Sequence, residues 1–372
     1  MRADVVDRLR ERLSAEGMDA LVVVSPENIA YAAGFVIPSQ PLMRWRHAAA
    51  VIGADDREAM VCVDMEETTV RGAAPEADVR IWREFVDEPM RVLAGLLHDW
   101  GLERARIGLE RKYLPAADFD QLQSFVPDAV FVDADELIMR SRQVKTDSER
   151  ELLGRLSRIS DTAIGHALSQ VRAGDTEMDI AAALTRSVYE QGAQQFKLMI
   201  VATGERSQLP NVGPTTRVLT PGDICRVEVF SVIDGYHAGV CRTAVVGDAP
   251  PEAERIYKNL VECKRAVFDA IRPGVSTQSV YDLYRSTFNA LKMPAISFVA
   301  HSIGVNLHEP PYFGPHSDQP VEENMVLGME PLVYRSGHGF GMQIKDMIEV
   351  AADGARLLSN VTPTDRLFQV EA

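Results

Sequence analysis

The sequence is short of several things, and each shortage removes a class of function. Basic charge is scarce: 39 Lys and Arg face 54 Asp and Glu, for a formal net charge of -15. Nucleic acid and anionic membrane surfaces both call for a basic footprint, so neither is expected as a partner. No uninterrupted apolar stretch approaches the ~20 residues that cross a bilayer. Met1-Arg2-Ala3-Asp4 opens into a charged helical pattern, not into the apolar core of a signal peptide. The four cysteines, Cys62, Cys225, Cys241 and Cys263, show neither CxxC spacing nor a dense framework. A reducing cytoplasm is therefore the expected location. What is present is ordinary for a globular chain, with 46% hydrophobic and 25% charged residues. At 372 residues it exceeds the size at which one core stops growing, so two domains are expected.

Residues 1 to about 140 alternate helix and strand signals. Val5 to Glu16 has helical periodicity and Gly17 stops it; Glu88 to Trp100 is a second helical segment. Short apolar runs at Ala20 to Val24, Ala48 to Ile52, Ala59 to Val63, Val79 to Trp82 and Arg106 to Glu110 read as strands. The pattern predicts an α/β domain over 1–140 with a largely open sheet. From 141 to 372 the pattern changes. A long amphipathic helix spans Asp147 to Gln170, and a second one ends at Gln191-Gly192. The same layout returns as a helix from Glu252 to Ile271 and another to about Leu291. Each pair is joined by a Gly followed by Thr or Ser placed to cap the next helix, and each is followed by strands. The repeat predicts a pseudo-symmetric α+β domain with a cleft where its halves meet.

Three stretches put charge inside apolar runs. They are Gly222 to Phe230 with Gly235 to Thr243, Ala300 to Pro311, and Met325 to Pro331 with Gly341 to Asp346. Glu228, Glu330 and Lys345 each sit where a buried strand is expected. An unpaired buried charge costs several kcal/mol, so these three should face one another or a ligand. With His301 and His308 they outline a polar pocket for a small molecule. The basic spot Arg44-Trp45-Arg46-His47 reads as an anion contact for such a ligand.

These stretches resemble the creatinase/aminopeptidase P/prolidase superfamily, whose catalytic domain is the pita-bread fold. The motifs that carry the resemblance are PGDICRVEVFSVIDGYHAGVCRT, HSIGVNLHEPP, VLGMEPLVY and GMQIKDMIEV, in the family's order and spacing. The resemblance implies an N-terminal creatinase-like α/β domain and a C-terminal pita-bread domain. It also implies a homodimer in which the N-terminal domain contributes to the partner's site. The family's peptidases hold two divalent metals with two Asp, one His and two Glu. Carried over, Glu228 stands for the first Asp, Gly239 for the second, His301 for the His, Glu330 for the first Glu and Lys345 for the second. Gly239 offers no ligand and Lys345 brings a cation, so the dinuclear centre is expected to be lost and no cofactor is expected. A single ion held by Glu228, His301 and Glu330 stays open as an alternative. The family's catalytic His of a Pro-His pair is Asn211 here, which cannot shuttle a proton near neutral pH.

These readings give catalytic candidates His301, Glu330, Glu228, Lys345 and His308, with Cys241 as a possible nucleophile. Substrate contacts are assigned to Arg46, Asn211, Tyr236 and Arg242, and Arg46 is expected to grip a carboxylate. The leading expectation is a metal-independent hydrolase of a C–N bond in a small metabolite, similar in logic to creatinase or ectoine hydrolase. One alternative is a metal-dependent Xaa-Pro aminopeptidase or dipeptidase with a variant site. Others are a non-hydrolytic lyase or isomerase and a non-catalytic binding protein on the same scaffold.

Overall fold

A computed structural model describes residues 1–372, whose contacts separate into two units, Met1–Arg142 and Gln143–Ala372. In the first, the elements run α1 (Ala3–Ala15), β1 (Ala20–Val23), α2 (Pro26–Ala33), β2 (Ala49–Gly53), β3 (Glu58–Val63), α3 (Glu67–Ala73) and β4 (Asp78–Trp82). They continue as α4 (Pro89–Asp99), β5 (Arg106–Leu109), α5 (Ala116–Phe125), β6 (Val130–Asp133) and α6 (Asp135–Gln143). One open sheet has the order β4-β3-β2-β1-β5-β6, with β1 antiparallel to β2 and parallel to β5. The periodicity explains the helices. Val5, Leu9 and Leu13, four residues apart, are buried along one stripe of α1, and Gly17 follows with φ of 62°.

The second unit begins with α7 (Asp147–Ser169), α8 (Glu177–Glu190), β7 (Gln195–Thr203), β8 (Ile224–Ile233) and β9 (Tyr236–Val246). It repeats the scheme with α9 (Pro251–Ala270), α10 (Thr277–Ala290), β10 (Ala300–Ser302), β11 (Glu309–Phe313), β12 (Val326–Met329), β13 (Leu332–Val333), β14 (Met342–Gln343) and β15 (Asp346–Ala351). The last strands are β16 (Gly354–Leu357) and β17 (Phe368–Val370). The first half's sheet runs β17-β9-β8-β7 and the second's β11-β10-β12-β15-β16. Both helix pairs turn at a left-handed glycine, Gly174 at 94° and Gly274 at 85°. Thr176 then caps α8 in a reciprocal box with Asp179, and Ser276 caps α10 through Ser279 N–H.

The two halves are stitched together beside the buried charges. Cys241 of β9 and Lys345, just ahead of β15, exchange both backbone hydrogen bonds, at 3.2 and 3.1 Å. Every residue of β8 and β9 is buried, so any charge on them needs a partner inside the protein. No helix is long and apolar enough to cross a membrane.

Candidate active site

Directly opposed residues of an antiparallel pair share a face, and alternate residues along a strand do too. In β8 and β9, Arg226 opposes Thr243, Glu228 opposes Cys241 and Phe230 opposes Gly239, so all six line one side. Facing them, β10 carries His301 at its centre and β12 leads into Glu330. Gly328 lies across from His301 in β12; a Cβ there would come within 3.1 Å of both His301 Cε1 and Lys345 Cε. Its bare backbone makes the room in which these two side chains meet.

The Lys345 ammonium is the hub. Its Nζ lies 3.4 Å from Glu228 Oε1, 3.2 Å from Glu330 Oε2 and 3.2 Å from His301 Nε2. It also sits 4.5 Å above the centre of the Phe230 ring, a cation–π contact. Burial alone would push the lysine's proton affinity down, but Glu330 and Glu228 outweigh it and raise it. Burial also acts to raise Glu330, yet the Lys345 charge holds it below the usual carboxylate range. For Glu228, burial exceeds the pull of Lys345 and its pKa is raised.

His301 Nδ1 lies 2.8 Å from the Ser302 carbonyl. A carbonyl only accepts, so the network assigns the proton to Nδ1. Burial, then the Lys345 charge, lowers the ring's pKa, so the imidazole is neutral and Nε2 is an acceptor. Glu330 Oε1 lies 3.1 Å from that same Nε2 and accepts no hydrogen bond, while Oε2 takes one from Gln343 Nε2 at 2.9 Å. Two acceptors thus face each other in a buried place, an arrangement that a cation between them would relieve. His308 stacks on His301 at 3.7 Å and 13°, and burial lowers its pKa to about 3.

Several expected roles are corrected. Arg46, in the first unit, points both arms of its guanidinium at Glu84, at 2.9 and 2.8 Å, so its fork is already filled by a carboxylate. Arg242 is buried between Asp161 at 3.0 Å and Asp346 at 2.9 Å, and donates to the Lys345 carbonyl at 2.8 Å. It braces the backbone of Lys345, and its guanidinium is already paired with carboxylates. Tyr236 is buried and donates its hydroxyl to Glu149 at 2.9 Å. Asn211 lies on an exposed stretch after Pro210. Cys241 is buried, and burial together with Glu228 raises its thiol well above the ordinary value, which disfavours the thiolate that a nucleophile needs. The expected cluster of Glu228, His301, Glu330, Lys345 and His308 is assembled in one place.

Sequence reasoning passed over Arg226, Gln343 and Phe230. Arg226 is fully buried and donates to the Ser207 carbonyl at 3.2 Å, to the Pro210 carbonyl at 2.9 Å, to the Leu209 carbonyl and to Gln343 Oε1 at 3.0 Å. Because Arg226 only donates, Gln343 must turn its oxygen to it and its N–H to Glu330. The same signal that exposed Glu228, a charge inside an apolar run, was available for Arg226.

Residues 151–352 match Metallopeptidase family M24, and residues 6–144 match the Creatinase/Prolidase N-terminal domain. The chain belongs to metallopeptidase family M24. An Xaa-Pro dipeptidase of Pyrococcus horikoshii is 23% identical over 97% of both chains. The dipeptidase PepE of Mycobacterium ulcerans is 25% identical, with a TM-score of 0.83 over 100% of this chain and 98% of that one. The X-Pro aminopeptidase of Thermotoga maritima, at 23% identity, superposes with a TM-score of 0.86 over 98% and 99%, and shares the two-domain pita-bread fold. These relatives overturn the expectation of a metal-independent hydrolase of a small metabolite. The count of changed ligand positions argues against the family's metal-dependent peptide hydrolysis, and the relatives favour the alternative of a metal-dependent Xaa-Pro peptidase instead.

At two of the ligand positions carried over from the family's two-ion centre the side chains differ: a Cβ on Gly239 would fall 2.2 Å from Phe230 Cε1, so that ring fills the space of a side chain there, and Lys345 brings a cation. One ion fits the donor chemistry. His301, His308 and Glu330 each offer a ligand atom within 4.8 Å of the others, and Glu330 Oε1 lacks a donor. Compared with the expected Glu228, His301 and Glu330, this set takes His308 in place of Glu228.

Proposed function

We propose that this M24 chain is a metal-dependent dipeptidase acting on Xaa-Pro substrates, with one divalent ion at His301, His308 and Glu330. The observation that carries the reading is the unpartnered Glu330 Oε1 facing the acceptor nitrogen of a neutral His301. The names of the relatives that run the length of the chain support the substrate class.

The ion, when bound, supplies Lewis acidity toward a peptide carbonyl and toward water. The chain's residues then divide the remaining work. With His301 Nε2 taken as a ligand, Lys345 would lose its hydrogen bond there and keep its two carboxylate partners. Glu330, held ionised by Lys345, is an acceptor for a proton released in the site. His308 is kept neutral beside His301, so its ring nitrogen would be available as a ligand. Gln343 holds Glu330 Oε2, so that Oε1 faces His301.

Charge favours this substrate as well. Glu228, Glu330 and Lys345 sum to one negative charge when both carboxylates are ionised, and a divalent ion makes the sum positive by one. The free carboxylate of a dipeptide balances that. The test is hydrolysis of a panel of Xaa-Pro dipeptides by chelated protein, with manganese, cobalt or zinc added back. Activity should vanish with chelator and return with metal. An absence of turnover on every Xaa-Pro dipeptide with every metal ends the reading.

A further inference from the structure

We infer that Lys345 is a tethered second cation, occupying with its ammonium the place of the second of the two ions that this family's resemblance calls for. The inference deepens the one-ion reading above and rests on it for the occupied half of the centre.

Three features fit together only on this view. First, the Nζ lies between the two carboxylates, 3.4 Å from Glu228 and 3.2 Å from Glu330, where a bridging charge belongs. Its compact positive charge suits the place, and unlike a bound ion it cannot dissociate. Second, the neighbouring ligand position has been closed by packing. Gly239 presents no side chain, and the Phe230 ring directly across the strand pair lies where one would stand. The same ring turns its face to the ammonium at 4.5 Å, so one side chain both excludes an added ligand and stabilises the replacement charge. Third, the lysine's origin is fixed. Its N–H and carbonyl pair with Cys241, its carbonyl also takes Arg242 at 2.8 Å, and Gly328 leaves space for its Cε.

Retained carboxylates without Lys345 would be a buried, repelling pair; with it they are paired. Lys345 therefore lowers the net negative charge that draws metal to the site, and it prevents a second ion from entering. This assigns a reason to each departure. Glu228 keeps a carboxylate that binds no ion itself, because it is the counter-ion of Lys345.

The experiment is manganese binding to the whole chain, followed by metal analysis, calorimetry and electron paramagnetic resonance. The wild type should take one Mn(II) per chain and give the six-line signal of an isolated ion. Lys345→Met should bind that ion roughly tenfold or more tightly, because a like charge a few ångströms away is removed. Lys345→Glu alone should still hold one ion, since the Phe230 ring remains. The triple variant Phe230→Gly/Gly239→Asp/Lys345→Glu should hold two, with an exchange-coupled signal. Two coupled ions in the wild type overturn the inference with no variant needed. So does a folded Lys345→Met protein of unchanged affinity. A second ion in Lys345→Glu alone overturns the role given to Phe230. No ion in the wild type removes this inference together with the metal part of the proposed function. One ion without Xaa-Pro turnover removes the substrate reading and leaves the tethered cation standing.

Discussion

At the scale of single residues, Glu330 has its two oxygens in opposite situations. Oε2 takes donors from Gln343 and Lys345, whereas Oε1 faces an acceptor. The polarity of that arrangement is set one residue further back. Arg226 fixes which way the Gln343 amide points, so the arginine acts on Glu330 without touching it. Loss of such an outer partner typically costs ten- to a hundredfold in metal affinity or activity. Arg226→Met should therefore lower kcat/KM on an Xaa-Pro dipeptide by about tenfold or more and weaken manganese binding in parallel, with Arg226→Lys recovering part of both. Unchanged metal affinity in a folded Arg226→Met protein would reduce the arginine to a packing role. At this scale the sequence was legible wherever a charge interrupted an apolar run, as at Glu228, Glu330 and Lys345. It was illegible for Arg46 and Arg242, because both carry the right chemistry for a carboxylate and only three dimensions show that Glu84, Asp161 and Asp346 already supply it.

Among elements, the β8–β9 pair and the two helical hairpins matter most. Hairpin geometry rests on local signals, which is why the repeat could be read in advance. Thr176 accepts from Asp179 N–H and Asp179 answers at the Thr176 N–H, at 3.3 and 2.8 Å. Thr176→Ala should cost about 1 kcal/mol in a denaturant melt, with metal stoichiometry untouched. A cost near zero would mean that packing alone sets the start of α8. The strand pair makes the opposite kind of prediction, because its constraint is steric. Gly239→Ala puts a methyl group into the Phe230 ring and should destabilise by about 1–3 kcal/mol. Phe230→Ala in the same chain should relieve most of that cost, and failure to do so would show that another neighbour limits Gly239. The short strands β13 and β14, two residues each, left no pattern to read. Helix α5 was equally silent, since Leu122 is its one buried hydrophobic residue.

For the molecule as a whole, buried histidines shape the response to acid. His237, against the Gly304 carbonyl and near Lys197 and Glu309, is lowered to about 4 by burial, and His301 is lowered as well. Their folded values lie below the ordinary 6.5, so between the two values the unfolded chain binds more protons. Stability should therefore fall as pH drops below about 6.5, well above the carboxylate range. Glu330 adds to this at lower pH. Its folded value is depressed, so its contribution holds above the unfolded value and is lost as pH falls through the folded one. Lys345 works at the other end: its folded value is raised, and its contribution is complete below 10.5 and lost only at higher pH. Melting temperature against pH should show a plateau between these limits and an early acid decline. A flat profile from 6.5 to 4 would contradict the buried neutral histidines. Family and architecture were legible because motif order spans the chain. The function was misjudged because counting charges at the ligand positions says nothing against a single ion, and His308 joins His301 only through the stacking of β10 and the segment before β11.

The Phe230–Gly239 contact also imposes an order on change. A carboxylate cannot grow at position 239 until the ring opposite has shrunk, and a shrunken ring exposes the ammonium's underside before any ligand has replaced it. Each first step at this strand pair is therefore uphill on its own, and position 239 can change only together with the residue across from it.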